Sequence, residues 1–150
     1  MPHCRHHLPG FRATCVAVGA TFVLIAGSEL LQGVPRSLAG FGVPEAVLHS
    51  PHYEDAMVWV FTHMLVLGLI IGVVGYFAEG ERTRRAMARI MAAVIPIFTL
   101  LDIRTSDSAL GSGLYAGPRS LVPPAIDLVV LLLFAHLALC RSAIADKEAH

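Results

Sequence analysis

Charged side chains are scarce in this chain: Asp, Glu, Lys and Arg make up 15% of its 150 residues, against about a quarter in an ordinary soluble domain. Its 11 basic and 11 acidic residues cancel, so the formal net charge is zero. Without an overall basic field, the chain is not expected to bind nucleic acid. It also lacks a P-loop, a dinucleotide fingerprint, a nucleophile elbow and an HExxH motif, so no common catalytic motif identifies an enzyme.

Cysteine is almost absent as well. The chain has three cysteines, Cys4, Cys15 and Cys140, and none of them forms a C-x-x-C pair typical of metal or redox sites. We predict that they stay reduced and fill space as small apolar side chains. The sequence identifies no cofactor.

Apolar residues, by contrast, dominate the composition. They make up 55% of the chain and raise its mean hydropathy to +0.67, which is typical of a protein that lies in lipid. A helix needs roughly 20 apolar residues to cross the hydrocarbon core, and backbone polar groups in lipid must be bonded within helices. The sequence therefore predicts one all-α domain over residues 1–150, an integral membrane four-helix bundle with spans at about 13–31, 56–78, 86–103 and 121–140.

The basic residues predict how the bundle is oriented, because short cytoplasmic loops are enriched in Lys and Arg. Eight of them fall before the first span, between the second and third, or after the fourth: Arg5, Arg12, Arg82, Arg84, Arg85, Arg89, Arg141 and Lys147. Three fall on the other side: Arg36, Arg104 and Arg119. We predict a multi-pass protein of the cell inner membrane with both termini and the hairpin 79–85 in the cytoplasm. The first span is predicted to be uncleaved, since no small-x-small cleavage site follows it.

Polar side chains inside the spans are the main candidates for a site, because ionisable groups in membrane helices usually face protein or water. At about 1.5 Å per residue, His63 and Asp127 both lie roughly 10 Å below the outer boundary. Glu29 and Asp102 lie closer to the same surface, with Arg104 just beyond Asp102. The sequence therefore predicts a polar cluster in the outer half of the bundle.

Three interpretations of this cluster remain open. It could be a proton or substrate cavity in which the Asp127 carboxylate orients His63. It could be a metal site, in which case Glu29, His63, Asp102 and Asp127 would be the ligands. It could also be structural, with Arg104 neutralising Asp102. A bis-histidine haem is excluded, because His63 and His136 differ in depth by roughly 12 Å.

The second span carries three glycines, Gly68, Gly72 and Gly75, of which the first two form a GxxxG motif. Small residues at this spacing allow close helix packing, either within the chain or with a partner. The glycines point about 120° to 180° away from His63, and Trp59 shares the His63 side. We therefore predict that protein lies on two sides of this helix.

The two outer loops, residues 32–55 and 104–120, are too long for simple turns and are predicted to cover the mouth of the bundle. The first contains His49, His52, Glu54 and Asp55. These side chains could bind a metal at the surface, but an exposed polar loop is the favoured interpretation.

The layout resembles the small DoxX-like and BphX-like bacterial membrane proteins. The resemblance covers mainly residues 53–90 and is carried by an acidic start to the second span and a short charged hairpin, namely Tyr53, Glu54, Asp55, Ala56, Ala78, Glu79, Gly80, Glu81, Arg82 and Arg85. It implies a bacterial inner-membrane accessory protein and transfers no catalytic residue.

Two hypotheses for function follow. The first is a non-catalytic accessory subunit that docks on a larger membrane complex, or self-associates, through its glycine face and outer loops. The second is a small enzyme or carrier whose outer polar cavity handles a proton or a quinone-like or other apolar ligand. The absence of catalytic motifs favours the first.

Overall fold

The computed structural model describes residues 9–139, and in this range the chain forms helices and no strands. Four of the helices are long and apolar enough to cross a membrane, as expected for a multi-pass protein. The helices are α1 (Phe11–Gln32), α2 (Val34–Ser37), α3 (Glu45–Leu48), α4 (Pro51–Phe77), α5 (Glu81–Ser106) and α6 (Val122–Leu139). Several residues used in the sequence analysis lie outside the described range: Cys4, Arg5, Cys140, Arg141 and Lys147.

Two of the membrane helices begin earlier than the hydrophobic pattern predicts. α4 starts at Pro51, in the first turn, where proline needs no hydrogen-bond partner for its nitrogen. α5 starts at Glu81, directly after Gly80 at φ 75°, so the predicted hairpin 79–85 shrinks to residues 78–80. The polar first turn of α5 is stabilised by an ion pair of 2.7 Å between Glu81 and Arg85, one turn apart. α4 and α5 therefore continue into polar sequence at their N-termini, beyond the apolar segments that hydropathy identifies.

The bundle consists of two helix pairs, in which α1 packs along α4 and α5 packs along α6. Contacts between the pairs are much sparser. We call the end where α4 joins α5 through residues 78–80 the hairpin end, and the end with the two long connections the loop end. The structure thus has two tightly packed halves that meet at a limited interface.

Glycines produce the close contact between α1 and α4. A Cβ atom on Gly19 of α1 would lie 2.6 Å from Gly68 O and 2.7 Å from Gly72 N, closer than real Cβ atoms approach. A Cβ on Gly68 would lie 2.8 Å from Gly19 O, and one on Gly75 would meet the Cys15 side chain. A Cβ on Gly72 would have ordinary room, at 3.9 Å. The glycine face of α4 is therefore occupied by α1 of the same chain.

A small apolar core joins the two halves. Its fully buried centre is Phe134 of α6, at 0% exposure, and it is shared by all four long helices. The buried members are Cys15, Val18, Ile71, Ala88, Ile95, Val130, Phe134 and Ala138. Most of these side chains come from the ends of α1, α4, α5 and α6 nearer the hairpin, so this core holds the halves together there.

At the loop end, the two long connections bind to each other. Gly117 N donates to Phe41 O at 2.8 Å and Arg119 N donates to Gly40 O at 3.1 Å. The ring of Tyr115 packs edge-on against Phe41, and its hydroxyl lies 3.0 Å from the hydroxyl of Tyr53 on α4. The loops therefore cover this end of the bundle and link the α1–α4 half to the α5–α6 half.

Within residues 9–139, no other long helix packs on the side of α4 opposite its glycines. Side chains there are exposed, Trp59 to 68% of its surface. At 100° per residue these positions fall on one stripe about 180° from the glycines. We call this stripe the open face of α4; it consists of Trp59, His63, Val66, Ile70, Val73 and Phe77. Among the described residues, protein therefore packs on α4 mainly at its glycine side.

Candidate functional site

The structure brings together two of the predicted polar residues, Asp102 of α5 and Asp127 of α6. Both are partly buried, and they lie within electrostatic range of each other. The Thr99 hydroxyl, one turn before Asp102, lies 3.2 Å from Asp127 Oδ2 and 3.2 Å from Ile95 O. Because a hydroxyl carries one proton, Thr99 either shares it between these acceptors or alternates between them. Thr99 and Asp127 therefore form a polar contact between α5 and α6, with Asp102 one turn further along α5.

We predict that Thr99→Val weakens the packing of α5 on α6. The change keeps the shape of the side chain but removes the donor to Asp127, so the carboxylate loses its hydrogen bond. The expected cost is about 1 kcal/mol in the free energy of unfolding. Reversible unfolding of the purified chain in detergent micelles measures it.

Thr105→Val is the matched control for that measurement. The Thr105 hydroxyl bonds only to carbonyls of its own helix, Leu101 O at 3.0 Å and Asp102 O at 3.1 Å. Its removal is expected to leave stability nearly unchanged. Equal losses in the two variants would show that the hydrogen bond to Asp127 contributes nothing particular.

Arg104 does not neutralise Asp102 in the part of the chain that the structure describes. No ion pair joins them within residues 9–139, and Arg104 is exposed. The physical reason is their spacing, because residues two apart on a helix point about 200° away from each other. If the cluster is structural, Asp102 therefore needs a partner other than Arg104.

Glu29 lies in the last turn of α1. Its residue is partly buried, and its Oε2 atom is buried with no hydrogen-bond partner among residues 9–139. Helical spacing puts Glu29 within about 20° of Phe22 and about 60° of Ala26, residues on the α4-facing side of α1. The Glu29 side chain is thus on the side of α1 that faces α4.

His63 lies on the open face of α4, away from the other candidates. Its ring contacts that of Trp59, with centroids 3.8 Å apart, and its Nδ1 lies 2.8 Å from Trp59 O. Since a carbonyl only accepts hydrogen bonds, Nδ1 is the donor. The side chain is exposed. The glycine face explains this position, because packing Gly68 onto α1 turns the opposite side of α4 outwards.

The predicted convergence of Glu29, His63, Asp102 and Asp127 is therefore not what the structure shows. Asp102 and Asp127 are partly buried and within electrostatic range of each other, Glu29 lies in α1 and His63 is exposed on α4. Over residues 9–139, no three His, Cys, Asp or Glu side chains are grouped so as to hold a metal ion. This includes His49, His52, Glu54 and Asp55, of which His49 lies 4.0 Å from Glu45.

An apolar groove of about 540 Å³ separates α1 from α6. It results from the sparse contact between the two halves of the bundle. None of the five predicted cluster residues lines it, and Thr21 is the one polar side chain in its wall. The wall consists of Ala17, Val18, Thr21, Phe22, Leu121, Val122, Ala125, Ile126, Val129, Val130 and Leu133. The groove can hold an apolar chain but offers no acid, base or nucleophile.

Sequence reasoning missed three residues that the structure makes important. Gly19 has no glycine partner at GxxxG spacing, yet it lies at the closest helix approach. Thr99 lies three residues after Pro96, and the one signal for it was its position one turn before Asp102. Tyr115 sits in a loop rich in Ser and Gly, where an aromatic residue can indicate a packed loop.

Comparison of the chain with protein-family models, with curated proteins and with solved structures finds no match in any of the three.

Proposed function

We propose that this protein is a non-catalytic accessory subunit that docks on a larger membrane complex through the open face of α4. The observation that carries the proposal is the position of His63. An imidazole on a membrane-spanning helix is exposed on the side opposite the glycine contact with α1, and it lies beside an exposed tryptophan. Tryptophan is enriched at the centres of protein interfaces.

His63 lies in the hydrocarbon core wherever α4 sits along the membrane normal. α4 has 27 residues, so it is about 40 Å long, whereas the core is about 30 Å thick. His63 is the thirteenth residue of the helix, about 18 Å from its start. Even if the whole excess length projects at that end, the ring still lies about 8 Å inside the core. Polar groups at this depth usually face protein or water.

The chemistry of the ring indicates what the partner provides. With Nδ1 donating to Trp59 O, a neutral imidazole presents Nε2 as an acceptor. Nε2 has no partner within residues 9–139. A transmembrane helix that carries a serine, threonine, asparagine or other donor would satisfy it, and Val66 and Ile70 continue the contact surface below. Interhelical bonds of this kind recur between membrane helices.

The proposal includes the cellular setting. The arginines at the hairpin end favour a cytoplasmic location for that end and for both termini, in the bacterial inner membrane. The resemblance of residues 53–90 to DoxX-like and BphX-like proteins is in keeping with an accessory role. The alternative of an enzyme with a polar cavity has less support, because the α1–α6 groove contains no ionisable side chain.

We expect His63→Leu to release the protein from its complex. Leucine keeps the apolar surface but cannot accept a hydrogen bond, so docking is expected to weaken roughly tenfold. The isolated variant should be as stable as the isolated wild-type protein, since a leucine side chain is apolar and is well solvated by lipid. The measurement is the share of the protein that migrates as a larger assembly on native gels of gently solubilised source membranes.

Thr62→Val serves as the control, because Thr62 is an exposed neighbour whose hydroxyl bonds to Val58 O of its own helix. A photo-crosslinker at position 66 of the open face should link the protein to one discrete larger chain. Adducts of lipid alone, or of a second copy of this chain, would contradict docking on a larger complex. So would an assembly that His63→Leu leaves intact.

A further inference from the structure

Arg82 and Arg89, two exposed arginines at the hairpin end of α5, differ from the neighbouring Arg84 and Arg85 in how their side chains are bonded. Arg84 Nε donates to Ala78 O at 3.0 Å, and Arg85 is held by Glu81 at 2.7 Å. Arg82 and Arg89 make neither an ion pair nor a side-chain hydrogen bond within residues 9–139. Their charges are therefore available to a ligand from outside the bundle.

Arg82 and Arg89 share one side of α5. They are seven residues apart, so at 100° per residue they differ by about 20° around the helix and by about two turns along it. The buried side chains Ala88 and Ile95 lie on another side, roughly 100° to 140° away. Both arginines thus point away from the bundle.

The direction of helical side chains points both charges towards the membrane surface. Side chains on a helix lean towards its N-terminus, which for α5 is the hairpin end. Arg89 begins deeper in the membrane than Arg82, about 10 Å further along the helix axis, and its long stem carries the guanidinium back towards the surface, as arginines near membrane boundaries do. Both cations are thereby directed towards the headgroup layer, within the reach of one phosphate that lies between them.

The same side of α5 is apolar beyond Arg89. Ala93, Ile97 and Leu100 lie within about 80° of both arginines, and all three are exposed. Between Arg89 and Ile97, this side of α5 carries the small side chain of Ala93. One stripe therefore offers positive charge at the membrane surface and an apolar path towards its centre.

We propose that this stripe, Arg82, Arg89, Ala93, Ile97 and Leu100, is a binding site for an anionic phospholipid. The phosphate lies between the two guanidinium groups, which match its charge, and an acyl chain follows the apolar positions. An acidic peptide would match the arginines but not the apolar continuation into the hydrocarbon core. The site is on a different helix from the docking face, so it stands or falls independently of the accessory role.

The test is lipid retention by the full chain in nanodiscs made from equal parts of phosphatidylglycerol and phosphatidylcholine. The wild-type protein, released into native mass spectrometry, is expected to carry phosphatidylglycerol in preference. Because a basic residue near the surface contributes about a fivefold preference for anionic lipid, R82Q/R89Q is expected to lose the preference by roughly tenfold or more.

Two variants make the result specific. R36Q/R104Q removes two exposed arginines at the loop end that lie on different helices, α2 and α5, and should keep more of the preference than R82Q/R89Q does. R82K/R89K keeps the charge and should keep most of the preference. The proposal is overturned if wild-type protein shows no preference, if R82Q/R89Q retains it, or if all three variants lose it alike.

Discussion

Gly19→Ala is expected to destabilise the protein by about 2 kcal/mol, and more if neither helix can shift. The added methyl group would meet Gly68 O, Gly72 N and Gly72 Cα at 2.6 to 2.8 Å. These are backbone atoms, which cannot rotate out of the way as a side chain can. α1 must therefore move off α4, which loosens the most extensive contact in the bundle. Equilibrium unfolding in detergent micelles measures the loss.

Gly27→Ala is a control in the same helix with the opposite expected sign. A Cβ at Gly27 would meet nothing within 4 Å. Alanine favours the helical conformation over glycine by up to about 1 kcal/mol, so this variant should be as stable as the wild type or more so. If both variants lost stability equally, the close approach of α1 to α4 would not be what Gly19 provides.

Gly117→Ala is expected to separate the two loops at the loop end. A Cβ at position 117 would collide with Gly40 O, Gly42 N and the carbonyl carbon of Phe41. The bonds from Gly117 N to Phe41 O and from Arg119 N to Gly40 O would then break. Two backbone hydrogen bonds are worth about 2 kcal/mol, so the amides at positions 117 and 119 should exchange roughly thirtyfold faster.

The exchange experiment separates this local effect from general unfolding. Ala116→Ser changes the neighbouring exposed residue and should leave exchange at positions 117 and 119 as it is. Amides in the middle of α4 should stay protected in both variants. Faster exchange throughout the helices of the Gly117→Ala protein would mean that the loops hold the whole bundle together, contrary to this expectation.

The four membrane helices could be predicted from the sequence because hydropathy and length are properties of each segment alone. The predicted spans 13–31 and 121–140 differ from α1 and α6 by one or two residues at each end described. The starts of α4 and α5 could not be predicted in this way. They depend on Pro51 and on the Glu81–Arg85 ion pair, which extend helices through polar sequence.

The candidate site was only partly predictable, for a reason of geometry. Residue spacing gives the depth of a side chain and its angle relative to others on the same helix. It does not say which neighbouring helix lies at that angle. The angle between His63 and the glycines was therefore available from sequence, but the fact that α1 is the long helix packed along the glycines of α4 was not.

The contact from Thr99 to Asp127 illustrates the other side of this limit. Consecutive helices joined by a loop usually pack together, so Asp127 of α6 had a good chance of reaching a polar side chain of α5, as it does at Thr99. The interlocked loops had no such indication. Their contacts join residues 40 and 41 to residues 117 and 119 through backbone atoms, which carry no sequence signal.

The division into two helix pairs has a consequence for biogenesis. α1 and α4 are both complete once the chain has been synthesised to Phe77, so their glycine contact can form while the second half is still on the ribosome. α5 and α6 enter later, and residue 117 must leave the translocon before it can reach Phe41. Assembly is therefore expected to begin with the contact between α1 and α4 and to end with the hydrogen bonds between the two loops. A nascent chain stalled after the α4–α5 junction would already hold its first two membrane helices together.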